Sequence, residues 1–137
     1  DATTEAFAGG WFHSGDLVRV DDEGFVYVVD RKKDMIISGG ENVYCAEVEN
    51  VLADHPGIAE VSIVGRPDDR WGEVLVAVVV ANDPADPPDA AGVREWAGAR
   101  LARFKLPAEV VVVDAMPRNA SGKIVKGVLR ERFSTAR

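Results

Sequence analysis

Val74-Leu75-Val76-Ala77-Val78-Val79-Val80-Ala81 is an apolar run with no polar position. Such a run cannot alternate apolar-in with polar-out, so it reads as a central strand buried on both faces. Ile58 to Val64 and Glu109 to Val113 read as two further strands, the latter another buried run. The intervening Gly65 to Glu73, crowded with charges around Trp71, reads as a loop, as does Asn82 to Asp89 with its prolines and aspartates. Val48, Val51 and Leu52 recur at i, i+3, i+4 within Ala46 to Asp54, which predicts a helix stopped by His55-Pro56-Gly57. Val93, Trp96, Ala97 and Leu101 mark a second amphipathic helix, and Ile124, Val125, Val128, Leu129 and Phe133 a last one. Upstream, Leu17 to Val20 and Phe25 to Val29 flank Asp21-Asp22-Glu23-Gly24, the composition of a β-hairpin. Asp30-Arg31-Lys32-Lys33-Asp34 is a charged break, suited to a linker or hinge, before Met35-Ile36-Ile37 runs into Ser38-Gly39-Gly40. After Arg31 the order is strand, helix, strand, strand, helix, strand, helix. That predicts an α+β fold, a small mixed β-sheet with packed helices, preceded by a short β-hairpin.

The 137 residues, 47% hydrophobic and 28% charged, suit a globular chain and exclude wholesale disorder, collagen-like repeats and coiled coil. No apolar stretch approaches the roughly 18 residues of a membrane helix, and the N-terminal residues lack the grammar of a signal peptide, so a cytoplasmic location is expected. One cysteine, Cys45, excludes an internal disulfide or a thiolate metal cluster, and two histidines are too few for a histidine-built site; no metal site is expected from this chain. Residues 94–137 hold ten Lys/Arg against four Asp/Glu, a net +6 that leaves −13 for the first 93 within the total of −7. The basic segment invites an anion. With no interleaved aromatic and basic pattern, a small phosphorylated ligand fits better than nucleic acid.

Four segments resist a purely structural account: Trp11 to Asp16, Asp30 to Asn42, Arg66 to Glu73, and Pro117-Arg118-Asn119-Ala120-Ser121-Gly122-Lys123. In the last, Lys123 follows a turn and precedes a helix, where an ammonium can neutralise phosphate or carboxylate oxygens, or stand as a solvated lysine at a helix start. Gly39 and Gly40 let backbone approach a ligand, or serve a turn.

Taken together, Gly10 to Leu17, Asp30 to Val43, Arg70-Trp71-Gly72-Glu73 and Pro117 to Ile124 resemble, in order, four motifs at the C-terminal end of the acyl-adenylate-forming superfamily, and more narrowly of bacterial fatty acyl-CoA synthetases. The resemblance runs from about Phe7 to Phe133. It implies a mobile C-terminal lid at residues 30–137, with residues 1–29 as the last β-hairpin of a large N-terminal domain that is absent here. The implied activity converts a carboxylic acid and ATP, with Mg²⁺ on the phosphates, to acyl-AMP, and then passes the acyl group to coenzyme A.

Asp16 and Arg31 would hold the nucleotide, and Lys33 would fall at the hinge. Lys123 would be catalytic, stabilising charge in the adenylation step. Gly39 and Gly40 would line the pantetheine tunnel, and Trp71, Phe104 and Lys105 would help receive coenzyme A, with Arg103 adding charge beside Phe104. Trp71 as a core-edge residue and Phe104 as a helix-end core residue are equally compatible with the sequence. The chain departs from relatives at Leu106 and Ala108, where some carry arginine and lysine, and at Cys45, where many have proline. The phosphate loop, the acyl pocket and most Mg²⁺ contacts would lie in the absent domain, so this chain alone is expected to be inactive. Its partners would be that domain and small molecules, without nucleic acid or a transmembrane segment, leaving room for peripheral membrane contact by the parent. The rival readings are the lid of an adenylation domain that loads a carrier protein, and a non-catalytic nucleotide or coenzyme A binding module.

Overall fold

The computed structural model describes residues 1–133. A short helix, α1 (Ala2–Ala6), is N-capped by the Asp1 side chain, which accepts from the Thr4 N–H at 2.9 Å. A two-stranded antiparallel sheet follows, β1 (Asp16–Val20) and β2 (Val26–Arg31). The remaining elements are a 3₁₀ turn at Ala8–Gly10, β3 (Ile36–Ser38), β4 (Glu41–Val43), α2 (Cys45–Ala53), β5 (Ile58–Asp68), β6 (Gly72–Ala81), α3 (Ala90–Gly98), a second 3₁₀ turn at Arg103–Lys105, β7 (Glu109–Val112) and α4 (Lys126–Phe133).

β6 is the central strand. β5 lies antiparallel along one edge, in register from Ile58↔Ala81 to Asp68↔Gly72. On the other edge β3 meets β6 antiparallel at Ser38↔Gly72, and β7 runs parallel to it from Val76↔Glu109 to Val79↔Val112. β4 completes the sheet outside β3. Because side chains alternate along a strand, the β6 run divides between two cores. Leu75, Ala77 and Val79 pack with Val48 and Leu52 of α2 and with Val93 and Ala97 of α3. Val76 and Val78 pack on the opposite face with Met116 and with Leu129 of α4. This is the mixed sheet with packed helices that the apolar run predicts.

The charged Gly65 to Glu73 stretch is not a loop. β5 continues through Asp68 and β6 begins at Gly72, leaving Asp69-Arg70-Trp71 as the turn. Ladder hydrogen bonds are made by backbone and tolerate charged side chains that project beyond the core. Pro67 is tolerated because β5 is an edge strand. α3 ends before Leu101, and Ile124 lies outside α4, in a β-bridge with Arg118. β4, where Val43 is fully buried, and α1 carry no clear signal in the sequence.

Trp11, Phe12, Val20, Phe25, Val26 and Val28 are each more than half exposed, so no described part of this chain covers the apolar surface of the N-terminal segment. Among the described residues, no helix is long and apolar enough to cross a membrane.

Cys45 is a core residue. Its thiol donates to the Asp34 carbonyl at 2.8 Å, and burial pushes its pKa up from 9.0 to about 12. Burial acts to lower the pKa of neighbouring Lys126, but Cys45, Glu49 and Asp34 outweigh it and the net direction is up. Lys126 pairs with Glu49 at 2.7 Å, and Glu49 Oε1 also accepts from the Ile63 N–H of edge strand β5 at 2.8 Å. The folded chain therefore favours the protonated thiol. This contribution to stability is complete below pH 9 and is lost as pH rises from 9 toward 12. Cys45 is expected to resist a thiol-specific reagent at neutral pH in the native chain and to react freely in urea. Equal reaction rates in both states would contradict the burial.

Candidate functional site

The open end of the β1–β2 hairpin places Asp16 opposite Arg31. Arg31 Nε bonds Asp16 Oδ1 at 2.8 Å, and its guanidinium also reaches the Ser14 carbonyl at 3.4 Å. Held against each other at an exposed strand end, the two side chains offer a carboxylate acceptor and a guanidinium donor to one small polar ligand.

The chain then turns. The amides of Asp34 and Met35 donate to the Arg31 carbonyl at 3.0 and 3.2 Å. Lys32 and Lys33 are exposed, whereas Asp34 is held by Arg130 of α4 and by the Cys45 thiol. The Lys32 N–H donates back to the Gly15 carbonyl at 2.8 Å, so the freest part of the connection is Lys33, between the hairpin and a residue tied into the core.

Gly39 and Gly40 both adopt positive φ, at +61° and +83°. Their surroundings differ. A Cβ on Gly39 would come within 3.0 Å of the Trp71 ring, and the Gly39 N–H donates to the Trp71 carbonyl at 2.8 Å, whereas a Cβ on Gly40 would meet nothing within 4 Å. Trp71 owes its placement to Asp68, whose Oδ1 accepts from the amides of Arg70 and Trp71 at 2.9 Å each. The Arg70 guanidinium stacks 4.9 Å from the Trp71 ring centre.

Beside this turn lies a cavity of about 640 Å³, lined by Trp71 and Phe104 and by the cations Arg70, Arg94 and Arg103. Leu106 and Ala108 also line it. Lys105 turns the other way, its ammonium bonded to both carboxylate oxygens of Glu47 on α2 at 2.6 and 2.7 Å. Arg94 donates to the Pro107 carbonyl, while neither Arg70 nor Arg103 has a carboxylate partner among the described residues. Such a cavity, with aromatic walls and unneutralised guanidinium groups, suits a ligand carrying both a planar ring and anionic oxygens.

Lys123 stands on the loop between β7 and α4. Asn119 Oδ1 accepts from the Ser121 N–H, the Ser121 hydroxyl and the Lys123 N–H, at 3.1, 2.8 and 2.9 Å. The Asn119 N–H donates to the Lys123 carbonyl at 2.9 Å, and Gly122 takes a φ of +81° to close the turn. The Lys123 side chain is exposed and forms no ion pair with a described residue. A lysine on a braced loop with no local anion is available to one that arrives.

Gly39, Trp71 and Phe104 thus gather at one place, with Gly40 adjoining. Asp16 with Arg31, and Lys123, lie outside that cavity's lining. Sequence reasoning missed Arg94, which reaches the cavity from α3, and the orienting role of Asp68. An aspartate two and three residues before the amides it accepts from is an Asx-turn signal that was available for Asp68. Among the described residues, no group of three or more His, Cys, Asp or Glu side chains is arranged to hold a metal ion.

Over 134 residues the chain is 52% identical to the long-chain-fatty-acid–CoA ligase FadD13 of Mycobacterium tuberculosis, a match covering 98% of this chain and 26% of that protein. It is 50% identical to the fatty acid–[acyl-carrier-protein] ligase ScoC of Streptomyces coeruleorubidus, over 97% of this chain and 25% of that one. The o-succinylbenzoate CoA synthetase of Bacillus subtilis, solved in complex with its acyl-adenylate intermediate, superposes with a TM-score of 0.81 at 45% identity, over 97% of this chain and 26% of that chain. The chain therefore spans about a quarter of the length of the relatives it matches. Residues 47–123, from the Glu47 that holds Lys105 to the exposed Lys123, match the AMP-binding enzyme C-terminal domain, and the chain belongs to that family.

Proposed function

We propose that this chain is the lid of an AMP-forming ligase that joins a carboxylic acid to coenzyme A. The observation that carries this reading is the cavity bounded by Trp71, Phe104 and three arginines next to the paired glycines. Coenzyme A presents an adenine ring, several phosphates and a slender thiol arm, which match aromatic walls, guanidinium groups and a stretch of backbone without side chains. In the first half-reaction a substrate carboxylate oxygen bonds the α-phosphorus of ATP, the bond to the β-phosphate oxygen breaks, and pyrophosphate leaves. In the second, the coenzyme A thiol loses its proton to solvent, its sulfur bonds the acyl carbon, the acyl–oxygen bond breaks, and AMP leaves.

We assign Lys123 to the first step, as a fixed positive charge beside the carboxylate and α-phosphate oxygens. Asp16 accepts from the ribose hydroxyls and Arg31 holds the same nucleotide. Gly39 and Gly40 pass the pantetheine arm, while Lys105 supports Phe104 by tying its turn to α2. Mg²⁺ travels with the ATP phosphates and is left to them and to a large domain. We place residues 1–29 with that domain, which accounts for their uncovered apolar surface, and residues 30–137 with the lid, of which the part beyond the end of β2 at Arg31 swings about Lys33. A cytoplasmic location follows from where ATP and coenzyme A are supplied.

Loading of a carrier protein is the second reading, favoured by the likeness to an acyl-carrier-protein ligase. The arginines favour free coenzyme A, since a carrier arm lacks its nucleotide. In the full-length enzyme, Arg103→Ala is expected to raise KM for coenzyme A about tenfold, as loss of a charge-assisted contact does. KM for ATP should not change. An unchanged coenzyme A KM, with transfer to a phosphopantetheinylated carrier protein, would establish the second reading instead.

Lys123→Ala in the same enzyme should lower acid-dependent ATP–pyrophosphate exchange by about 10²-fold or more, the usual cost of one preorganised transition-state donor. Conversion of supplied acyl-AMP to thioester should continue. Equal loss of both would make Lys123 structural.

Lys33→Pro locks φ near −65° and removes an amide donor, whereas Lys33→Ala leaves the backbone free. If the lid turns about this residue, the proline variant retains acyl-AMP formation and loses thioester formation, and the alanine variant is mild in both. Single-turnover measurement of each half-reaction decides, and normal coenzyme A turnover in the proline variant would rule the hinge out.

A further inference from the structure

Arg118 opens the loop that carries Lys123, and its guanidinium has two acceptors. One is the Gly122 carbonyl, immediately before Lys123, at 2.6 Å. The other is the carboxylate of Glu60, which lies 58 positions away on β5. Asn119 braces the loop only against itself, since all three donors it accepts from lie within residues 121–123. The Arg118–Ile124 bridge likewise joins two ends of the same loop; Ile124 packs against the core cluster of Val64, Val76 and Val78 and anchors that stem, which leaves the turn at residues 119–123 held by its own bonds. Glu60 is different. Its strand is paired with β6, with Glu60 opposite Val80, so its carboxylate moves with the sheet.

Resting on the ligase reading of Lys123, we infer that Glu60 and Arg118 are positioning residues for adenylation, which fix the Lys123 loop to the central sheet. The pair is partly exposed, with side-chain exposures of 35% for Glu60 and 44% for Arg118, so as a contribution to stability it is small. Its effect is geometric. Lys123 sits at the end of a loop closed on itself, and without Glu60 that loop is free to pivot as a unit on its two stems. An ammonium on a four-carbon stem then loses its direction relative to the nucleotide bound by other elements. A planar guanidinium spans two acceptors in fixed geometry, which one ammonium does not reproduce.

In the full-length enzyme, Glu60→Ala is expected to slow ATP–pyrophosphate exchange about tenfold, less than the roughly 10² that a full 1 Å misplacement can cost. Glu60→Gln, which keeps an acceptor oxygen, should restore most of the rate. Arg118→Lys, which keeps the charge and loses the fork, should not. Thioester formation from supplied acyl-AMP and the melting temperature should match the parent. In the 137-residue chain, backbone ¹⁵N relaxation should show added motion of residues 119–123 in Glu60→Ala, while the β6 amides stay protected from hydrogen exchange.

Unchanged adenylation in Glu60→Ala, alongside an inactive Lys123→Ala, would overturn the positioning role alone. Full adenylation by Lys123→Ala would overturn the assignment of Lys123 and this inference with it, whereas a parent enzyme without acid-dependent ATP–pyrophosphate exchange would overturn the ligase reading. Equal loss of both half-reactions, or a lowered melting temperature with faster β6 exchange, would show that the pair only supports the fold.

Discussion

The two-sided burial of β6 is the constraint from which the other elements take their places. A strand whose residues 74–79 are all at most 8% exposed must be covered on both faces, and α2 with α3 on one side and α4 on the other supply that cover. Both strand edges are occupied as well, by β5 on one and by β3 and β7 on the other. The functional features then fall where these elements stop. The tight turn after β5 presents Arg70 and Trp71, the short contact at Ser38↔Gly72 brings Gly39 against that tryptophan, and the stretch from β7 to α4 becomes the Lys123 loop.

Charge is organised around the same frame. The acidic first two thirds and the basic last third are paired across the fold. Asp34 holds Arg130, Glu47 holds Lys105, Glu49 holds Lys126 and Glu60 holds Arg118. Four cations of the basic segment are thereby neutralised inside the domain instead of lying open to a ligand. Among the described residues, those without a carboxylate partner include Arg103 at the cavity and Lys123 on its loop. An anion-binding role rests on those residues and on Arg70, not on the segment's net charge.

The ion pairs also separate what is fixed from what is free between the hairpin and the sheet domain. Asp34 is bound to α4 through Arg130 and to α2 through the Cys45 thiol, so the chain from that point onward is committed to the domain core. Arg31, three residues earlier, is committed to the hairpin through Asp16. Lys32 is tied to the hairpin as well, its N–H donating to the Gly15 carbonyl at 2.8 Å, which leaves exposed Lys33 between the two commitments.

The central strand, the flanking strands, all three sheet-packing helices and the N-terminal hairpin were legible in the sequence, because each depends on a local periodicity of apolar residues. The four ordered motifs likewise carried the family. What the sequence left open required long-range geometry. The Gly65 to Glu73 stretch looked like a loop because its side chains are charged, yet its backbone continues the β5–β6 ladder, which side-chain polarity does not report. The same turn sets the half-exposed Trp71 ring on Gly39 and in the wall of a cavity, a placement that the sequence did not report. Lys105 appeared equivalent to Arg103 in the sequence, and only the approach of Glu47 from α2 turned it away from that cavity. Arg94 and Glu60 carried no signal at all, because each acts through partners brought near by folding. Local pattern determined which elements form and to which family they belong, and only tertiary structure decided which charges meet an acid and which remain for a ligand, since that depends on contacts between residues far apart in the chain.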